Sequence, residues 1–470
     1  MFNETMAKLK TYRDEKLQRL KSLKTSHNFS QIIHEKRNTL KVTFSQWSAQ
    51  TKFPQPTFPN LREVQKKALD ILPKPAIASE APAKIRAVIS KTSFPRKKTF
   101  RYAAAFGITA FLIYEFIPHR TKIVLSYKNT PENSALVSRL SYLKDRHFYP
   151  TFYIFGALLQ SIMNGVIVPH VNFQREYLKL QDGGTIALDW ADPFRKVENA
   201  NGSSKYVEVP ADETTPTIFV IHGLTGGSNT GYIRGLVTRA QKRGFRVVVF
   251  QHRGVNQPLS TPLPYHGGLL DDISFAIDHV KAKYPNAKLL AVGNSLGGNQ
   301  LLRYLAQTGE DCPFESAVAL GSPWDVNNCV DEMAGTVYEK FFIKKYTKNT
   351  VDCHRNVLGE LTKTHGIDLD HVMATNTLRS FHDSLTVKVY NYKDSYELFG
   401  TLLVTKEMIQ NIKVPTLVLH AKDDPIVTVK DIPKEEISKN NNIILAETSR
   451  GAHICWFTGL KPKRVTQIFF

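Results

Sequence analysis

The chain has 470 residues, of which 42% are apolar, and a formal net charge of +20 at pH 7. A chain of this length and composition can bury a large core, and length alone would allow two or three domains. Its four cysteines are scattered without a Cys-x-x-Cys pair. That spacing argues against a structural zinc site and against a disulfide scaffold.

The positive charge lies mostly in an amino-terminal arm. Residues 1–101 contain 22 Lys and Arg against 7 Asp and Glu, and so contribute +15 of the net charge. Segments 4–24 and 60–72 show charged helical patterns, and prolines divide the arm into linker-like pieces. We therefore expect a basic, partly helical or disordered extension. Such an arm can bind nucleic acid, bind an anionic membrane, or only increase solubility. No interleaved aromatic or glycine pattern indicates an RNA module, so we expect no nucleic-acid partner.

An apolar run follows the arm at residues 102–118, with basic residues on both sides. Its first sixteen residues reach about 24 Å as a helix, which is shorter than the ~30 Å hydrocarbon core of a bilayer. Glu115 lies close enough to the end to sit at the interface, and aromatic residues occupy both ends. A buried core helix is the alternative. We predict a transmembrane or membrane-anchor helix, and hence a single-pass protein of the endoplasmic reticulum or a related membrane.

Residues 119–170 are predicted to connect this helix to a catalytic domain at 171–470. In that domain apolar runs alternate with amphipathic segments, which predicts an α/β fold with a doubly wound, mostly parallel sheet. The predicted strands lie near 177–181, 185–190, 217–222, 246–251, 288–293, 316–321, 415–420 and 442–447. The clearest predicted helices lie at 229–243, 268–284 and 296–308.

The loop after the predicted strand at 217–221 is rich in glycine, with the sequence His222-Gly223-Leu224-Thr225-Gly226-Gly227. We predict that the backbone N–H of Leu224 is one donor of an oxyanion hole. A phosphate-binding Walker loop is the alternative, but it needs Lys followed by Ser or Thr after its last glycine. Here Ser228-Asn229 follows, so we reject that alternative. The position of His222 before the loop indicates a scaffolding role.

A Gly-x-Ser-x-Gly pentapeptide at 293–297 directly follows the apolar run at 288–292. Leucines then recur at helical spacing, so the turn opens a helix. A strand, a tight turn with glycine on both sides of a serine, and a helix are what a nucleophile elbow requires. Ser295 is the predicted nucleophile, and the N–H of Leu296 is the predicted second oxyanion donor.

An insertion at about 323–405 separates two predicted strands and contains many aromatic and aliphatic residues. Insertions at this point cover the active site in many hydrolases. Their apolar content suits a pocket for an acyl chain. The alternative is that these side chains only pack the insertion onto the sheet.

The acid and the base are expected to follow the nucleophile in the chain, in that order. Asp424 comes directly after the predicted strand at 415–420, and His453 follows the next strand. We predict that His453 takes the proton of Ser295 and that Asp424 orients His453. Asp423 is the rival for the acid.

Ordinary structural roles remain open for these residues. Asp424 and the proline after it could cap a helix, and His453 could be a partly buried loop residue. Cys455 could compete as the nucleophile, but it has no elbow. His266 and Asp271 form an His-x₄-Asp pattern that some acyltransferases use, although Asp271 is more simply explained as part of a helix start.

Several motifs together resemble the α/β-hydrolase-domain 1/2/3 group of the AB hydrolase 4 family, which includes yeast ethanol acyltransferase/monoacylglycerol lipase proteins. The motifs are His222-Gly-Leu-Thr-Gly-Gly-Ser, Tyr232-Ile233-Arg234, His252-Arg253-Gly254, Thr261-Pro262, Asp271-Asp272, Gly293-Asn-Ser-Leu-Gly-Gly298 and Asp423-Asp-Pro. The resemblance implies Ser295, Asp424 and His453 as the triad and implies ester chemistry on lipids.

These observations predict a membrane-associated serine hydrolase of the α/β-hydrolase fold that cleaves carboxylic esters of lipids through an acyl-Ser295 intermediate. No metal or cofactor is expected. Two alternatives stay open. An acyltransferase would make short- or medium-chain fatty acid esters when an alcohol attacks the same intermediate. A hydrolase-like membrane receptor would bind without catalysis, but binding alone does not require all three triad residues.

Overall fold

The computed structural model describes Gly107 and residues 122–140, 147–151, 153–154, 156–199 and 203–464. The predicted basic extension at 1–101 lies outside these residues, as does the predicted anchor at 102–118 apart from Gly107. Among the described residues, no helix combines the length and the apolar character that a membrane span requires.

Strands of the described chain form one large sheet and two small hairpins. In chain order they are β1 (Val124–Tyr127), β2 (Gln174–Lys179), β3 (Thr185–Ala191), β4 (Phe194–Glu198), β5 (Ser204–Glu208), β6 (Thr217–Ile221), β7 (Arg246–Gln251), β8 (Leu289–Asn294), β9 (Ser316–Leu320), β10 (Thr416–Ala421), β11 (Ile443–Thr448), β12 (Phe457–Thr458) and β13 (Lys463–Arg464). The large sheet has the order β1-β11-β10-β9-β8-β6-β7-β3-β2.

The centre of this sheet is parallel and its edges are antiparallel. The pairs from β11 through β10, β9, β8 and β6 to β7 all run parallel. β1 joins β11 antiparallel at one edge, and β3 and β2 join β7 antiparallel at the other. All eight predicted strands belong to this sheet, which confirms the predicted α/β fold with a mostly parallel sheet.

Helices cover both faces of the sheet and fill one long insertion. In chain order they are α1 (Pro131–Arg139), α2 (Ala157–Val166), α3 (Gly231–Gln241), α4 (Asp271–Lys283), α5 (Leu296–Thr308), α6 (Val326–Met333), α7 (Val337–Thr350), α8 (Arg355–Leu358), α9 (Glu360–His365), α10 (Leu369–Ala374), α11 (Leu378–Ser384), α12 (Thr386–Tyr390), α13 (Ser395–Gly400), α14 (Lys406–Asn411) and α15 (Lys434–Lys439).

Strand β6 shows why the central strands have continuous apolar runs. Every residue of β6 is buried, because the strand has a helical layer on each face. Phe219 and Ile221 pack in a core with side chains of α4 and α5. Ile218 and Val220 point the opposite way and pack with side chains of α3. The two cores hold the parallel strands side by side, so that their carboxyl ends lie next to one another.

The helices α6 to α14 form the insertion between β9 and β10, where the sequence predicts it. They build a core of their own from side chains such as Ile343, Tyr346 and Phe381. Leu296, at the start of α5, belongs to the same core. The insertion therefore packs against the end of the sheet where β8 passes into α5.

The segment at 119–170, predicted as a connection, also contributes to the body. β1 pairs with β11, and Leu125 lies opposite Ala446. The guanidinium of Arg464 donates to the carbonyl of Ile167, just after α2, at 2.9 Å and to that of Gly231 at 2.7 Å. A strand of four residues is too short for its apolar pattern to be recognised, which is why the sequence analysis missed it.

A buried ion pair joins the loop after β7 to helix α4. The guanidinium of Arg253 donates to both carboxylate oxygens of Asp272, at 2.6 and 2.7 Å, and also contacts Asp182. Arg253 and Asp272 are both buried, whereas Asp271 beside them is exposed. The carboxylates raise the pKa of Arg253 above its usual value despite burial.

We expect Asp272→Ala to lower the free energy of unfolding by about 3–5 kcal/mol, because it leaves the buried charge of Arg253 with one carboxylate partner fewer. Asp271→Ala is the matched control and should cost less than about 1 kcal/mol, the helix-dipole contribution of an exposed carboxylate. Thermal unfolding followed by circular dichroism measures both. Equal shifts in Tm for the two variants would contradict the structural role of the pair.

Candidate active site

The turn between β8 and α5 holds Ser295 in a backbone conformation that side chains seldom adopt, with φ 53° and ψ −122°. Glycine is required on both sides of it. A β-carbon at position 293 would lie 2.5 Å from the carbonyl oxygen of Gly297, and one at position 297 would lie 2.4 Å from that of His222. The Gly-x-Ser-x-Gly sequence therefore lets strand β6, strand β8 and helix α5 meet closely, with Ser295 at the tip.

Three side chains form one continuous hydrogen-bonded chain at this tip. Ser295 Oγ lies 2.7 Å from His453 Nε2, and His453 Nδ1 lies 2.8 Å from Asp424 Oδ2. Asp424 follows the carboxyl end of β10, and His453 follows that of β11. The fold thus brings together three residues that are far apart in the sequence. They meet at the carboxyl ends of the parallel strands.

Asp424 is a buried carboxylate whose charge is stabilised by its neighbours. Its Oδ1 accepts hydrogen bonds from the N–H groups of Ile426 and Val427, at 2.9 and 3.0 Å. Burial acts to raise the pKa of Asp424, but the interaction with His453 and these hydrogen bonds bring it below the usual value. Because an ionised carboxylate can only accept, His453 Nδ1 carries the proton and Nε2 accepts from the hydroxyl of Ser295.

Asp423 has a different partner from Asp424. Its Oδ1 accepts from the backbone N–H of Ala452 at 2.8 Å, next to His453 in the chain. Burial raises the pKa of Asp423. The geometry therefore separates the two adjacent acids, because Asp424 contacts the imidazole and Asp423 fixes the loop that carries it.

The two predicted oxyanion donors belong to segments that adjoin Ser295. The N–H of Leu296 belongs to the first turn of α5, and Leu224 lies in the loop after β6. Within the described residues neither N–H donates a hydrogen bond. A β-carbon on Gly223 would lie 3.0 Å from that of Ser295, so the loop lies directly against the serine. Tyr265 donates to the carbonyl of Leu224 and holds the loop. The arrangement is suited to binding an oxyanion.

The surroundings of the other candidate residues from the sequence indicate structural roles. The His222 ring is fully buried, contacts the carbonyl of Gly223 at 2.8 Å and meets the ring of His252 edge-on. Cys455 is buried, and burial raises the pKa of its thiol. The ring of His266 packs edge-on against Tyr390, and Asp271 is exposed at the start of α4.

Two cavities meet at Ser295. An apolar cavity extends beneath the insertion. It is lined by Ser295 and by side chains that include Val330, Met333, Phe342 and Phe399. A second cavity, the mouth cavity, is lined by both Ser295 and His453 and by residues of α2 and α7. The sequence analysis missed the contribution of α2, because Ser161 and Asn164 carry no motif.

The geometry agrees with known proteins of one fold. The family model for the alpha/beta hydrolase fold matches residues 216–453, slightly more than half of the chain. The chain belongs to the alpha/beta hydrolase fold family. Phospholipase ABHD3 from Mus musculus is 30% identical over 325 residues, which cover 68% of this chain and 75% of that protein. Monoacylglycerol lipase from Saccharomyces cerevisiae is 29% identical over 323 residues, which cover 63% of this chain and 72% of that protein. These matches confirm the resemblance found in the sequence.

Three buried histidines, His222, His266 and His382, predict a stability that depends on pH. Burial lowers the pKa of His222 and His266 to about 4 and that of His382 to about 3, from the usual 6.5. In the unfolded chain these rings take up protons near pH 6.5, but in the folded protein they do so only below about pH 4. Protons therefore favour the unfolded state as the pH falls through this range.

We expect Tm to fall between pH 6.5 and 4.5, and to fall less steeply in His382→Phe. The phenyl ring keeps the packing of His382 against Phe381 and Phe399 but takes up no proton. His365→Phe replaces an exposed imidazole and is the matched control. Calorimetry across this pH range measures the slope. If His382→Phe and His365→Phe gave the same slope, burial of His382 would not be the cause.

Proposed function

We propose that this chain is a serine hydrolase that cleaves carboxylic esters of lipids through an acyl intermediate on Ser295. Its family, together with relatives named as a phospholipase and a lipase, makes it a carboxylic ester hydrolase. The observation that carries the serine mechanism is the hydrogen-bonded chain from Asp424 through His453 to the hydroxyl of Ser295.

In the proposed mechanism, His453 Nε2 takes the proton of Ser295 as Oγ attacks the ester carbonyl carbon. The carbonyl oxygen becomes an oxyanion, which accepts hydrogen bonds from the N–H groups of Leu224 and Leu296. Asp424 stabilises the imidazolium that forms. His453 then gives its proton to the leaving alcohol oxygen as the carbon–oxygen bond breaks. Water, deprotonated by the same imidazole, attacks the acyl-serine, and Ser295 leaves with the proton.

The apolar cavity supports a lipid substrate. Its walls come from aliphatic and aromatic side chains of the insertion, together with Leu296 and Ile426 beside the reacting groups. An acyl chain that fills this space transfers its methylene groups out of water, which contributes about 0.8 kcal/mol for each one buried. The insertion is therefore proposed to act as the lid over an acyl-chain pocket.

We also propose that the chain works at a membrane surface. Helix α2 exposes Leu158, Ile162 and Val166 by 56, 54 and 67%, and α7 exposes Phe341 by 68%. Both helices line the mouth cavity, which also contains Ser295. Apolar side chains around the mouth of a lipid-cleaving site can enter the lipid surface and let the substrate pass into the cavity.

The triad is tested by substitutions at two neighbouring acids and at the serine. Ser295→Ala should lower the kcat for a short-chain ester by about 10⁴- to 10⁶-fold and abolish labelling by a fluorophosphonate probe. Asp424→Asn should cost about 10⁴-fold. Asp423→Asn is the matched control and should cost much less. If Ser295→Ala kept its turnover, the serine mechanism would be wrong. If Asp424→Asn and Asp423→Asn lost the same factor in kcat, Asp424 would not be the acid of the triad.

Membrane attachment through residues 102–118 is tested in the full chain by adding charge to the apolar run. Ile108→Arg together with Leu112→Arg should move the protein out of the alkali-resistant membrane fraction, because each charge at the bilayer centre costs about 2.5–3.5 kcal/mol. Ile71→Arg together with Leu72→Arg adds the same charge to the basic extension and is the control. An unchanged membrane fraction in the first variant contradicts the proposed anchor.

A further inference from the structure

A lysine of the insertion lies between the reacting groups and a polar cavity. Lys345 on α7 lines the mouth cavity, together with Ser295 and His453. It also lines a third cavity, the polar cavity, which shares Leu224, Thr225 and Gly226 with the mouth cavity. Burial is the main cause of the lowered pKa of His222, and the charge of Lys345 lowers it further.

Lys345 has no anionic partner in the described protein. No ion pair joins it to a carboxylate of that part of the chain, and its pKa is lowered by burial. No Asp or Glu lines the described walls of the mouth cavity or of the polar cavity. Two other basic side chains line the polar cavity. Arg253 is already paired with Asp182 and Asp272, and the ring of His354 contacts the carbonyl of Gly254 and the N–H of Leu259. A half-buried ammonium without a partner favours the binding of an anion.

The polar cavity offers uncharged groups around this cation. Its walls include the side chains of Thr225, Asn229, Asn256, Asn349 and Thr350. Amide and hydroxyl groups donate hydrogen bonds to anionic oxygens and add no negative charge. The chemistry of this cavity therefore differs from that of the apolar cavity, although Leu224 lines both.

We propose that Lys345 binds the phosphate of a glycerophospholipid substrate, with the acyl chain in the apolar cavity and the ester carbonyl at Ser295. The inference rests on the proposed function, because it assigns the head-group side of the same site. The polar part of the head group beyond the phosphate extends into the polar cavity. Lys345 is a specificity-determining residue in this arrangement, and Ser295, His453 and Asp424 act on any ester that the cavities admit.

The test compares two substrates that differ only in the head group. A short-chain lysophosphatidylcholine and the monoacylglycerol with the same acyl chain are each assayed below their critical micelle concentrations, so that no lipid surface forms. The proteins are the wild type, Lys345→Met, which keeps the length of the side chain without its charge, and Lys344→Met. Lys344 is the exposed neighbour on the same helix and is the matched control.

We expect Lys345→Met to reduce the ratio of kcat/KM for the phosphate ester to kcat/KM for the neutral ester by about 10- to 100-fold, the effect of losing one charge-assisted contact. Lys344→Met should leave the ratio within about twofold of wild type. Lys345→Arg, which restores the charge, should recover much of it.

Two other outcomes overturn the inference in different ways. If the wild type cleaves the neutral ester but the ratio is the same in Lys345→Met, the phosphate site is wrong and the proposed hydrolase stands. If the wild type cleaves neither ester and Ser295 is not labelled by a fluorophosphonate, the proposed function fails and the phosphate site fails with it.

Discussion

The close approach of helix α5 to the end of strand β6 is the constraint on which the candidate site depends. Position 297 has room for no side chain, because the carbonyl oxygens of His222 and Ile221 occupy that space. The same contact brings the loop that follows β6 against Ser295. Without glycine at 297, the helix would move away, and the nucleophile and the loop would separate. The strained backbone of Ser295 is tolerated because two packed cores hold β6, β8 and α5 from both faces of the sheet.

Apolar runs allowed most strands of the sheet to be predicted from the sequence, and the strands without such runs were missed. Central strands such as β6 and β7 are buried on both faces, so they appear as unbroken apolar runs between turns. The edge strand β1 and the hairpin of β4 and β5 lack such runs. β1 has four residues that are mostly half exposed, and every residue of β5 is exposed. β1 pairs with β11, which is distant in sequence, and a local pattern does not record such a partner. β4 and β5 pair with each other, but their mostly exposed residues form no apolar run.

The site was predictable where function imposes a local sequence and unpredictable where it depends on three-dimensional neighbours. The elbow at Ser295 needs glycine two residues before and two residues after the serine, so five consecutive residues are enough to recognise it. The choice between Asp423 and Asp424 has no such local mark. It follows from the direction of two adjacent side chains, one toward the ring of His453 and one toward the N–H of Ala452. Lys345 is still harder to find, because it is one of several lysines on α7 and is distinguished only by the cavities that it lines.

In the proposed mechanism the triad and the oxyanion donors act only on the ester group, so they do not distinguish one lipid head group from another. Selectivity must come from the walls of the cavities, and the insertion supplies much of those walls. Helix α7 contributes to both kinds of wall, since Phe342 lines the apolar cavity and Lys345 lines the polar one. One helical turn therefore separates a surface for hydrocarbon from a surface for an anion. If Lys345 binds the phosphate as we propose, a change of charge on this one turn changes the substrate and leaves the reacting groups as they are.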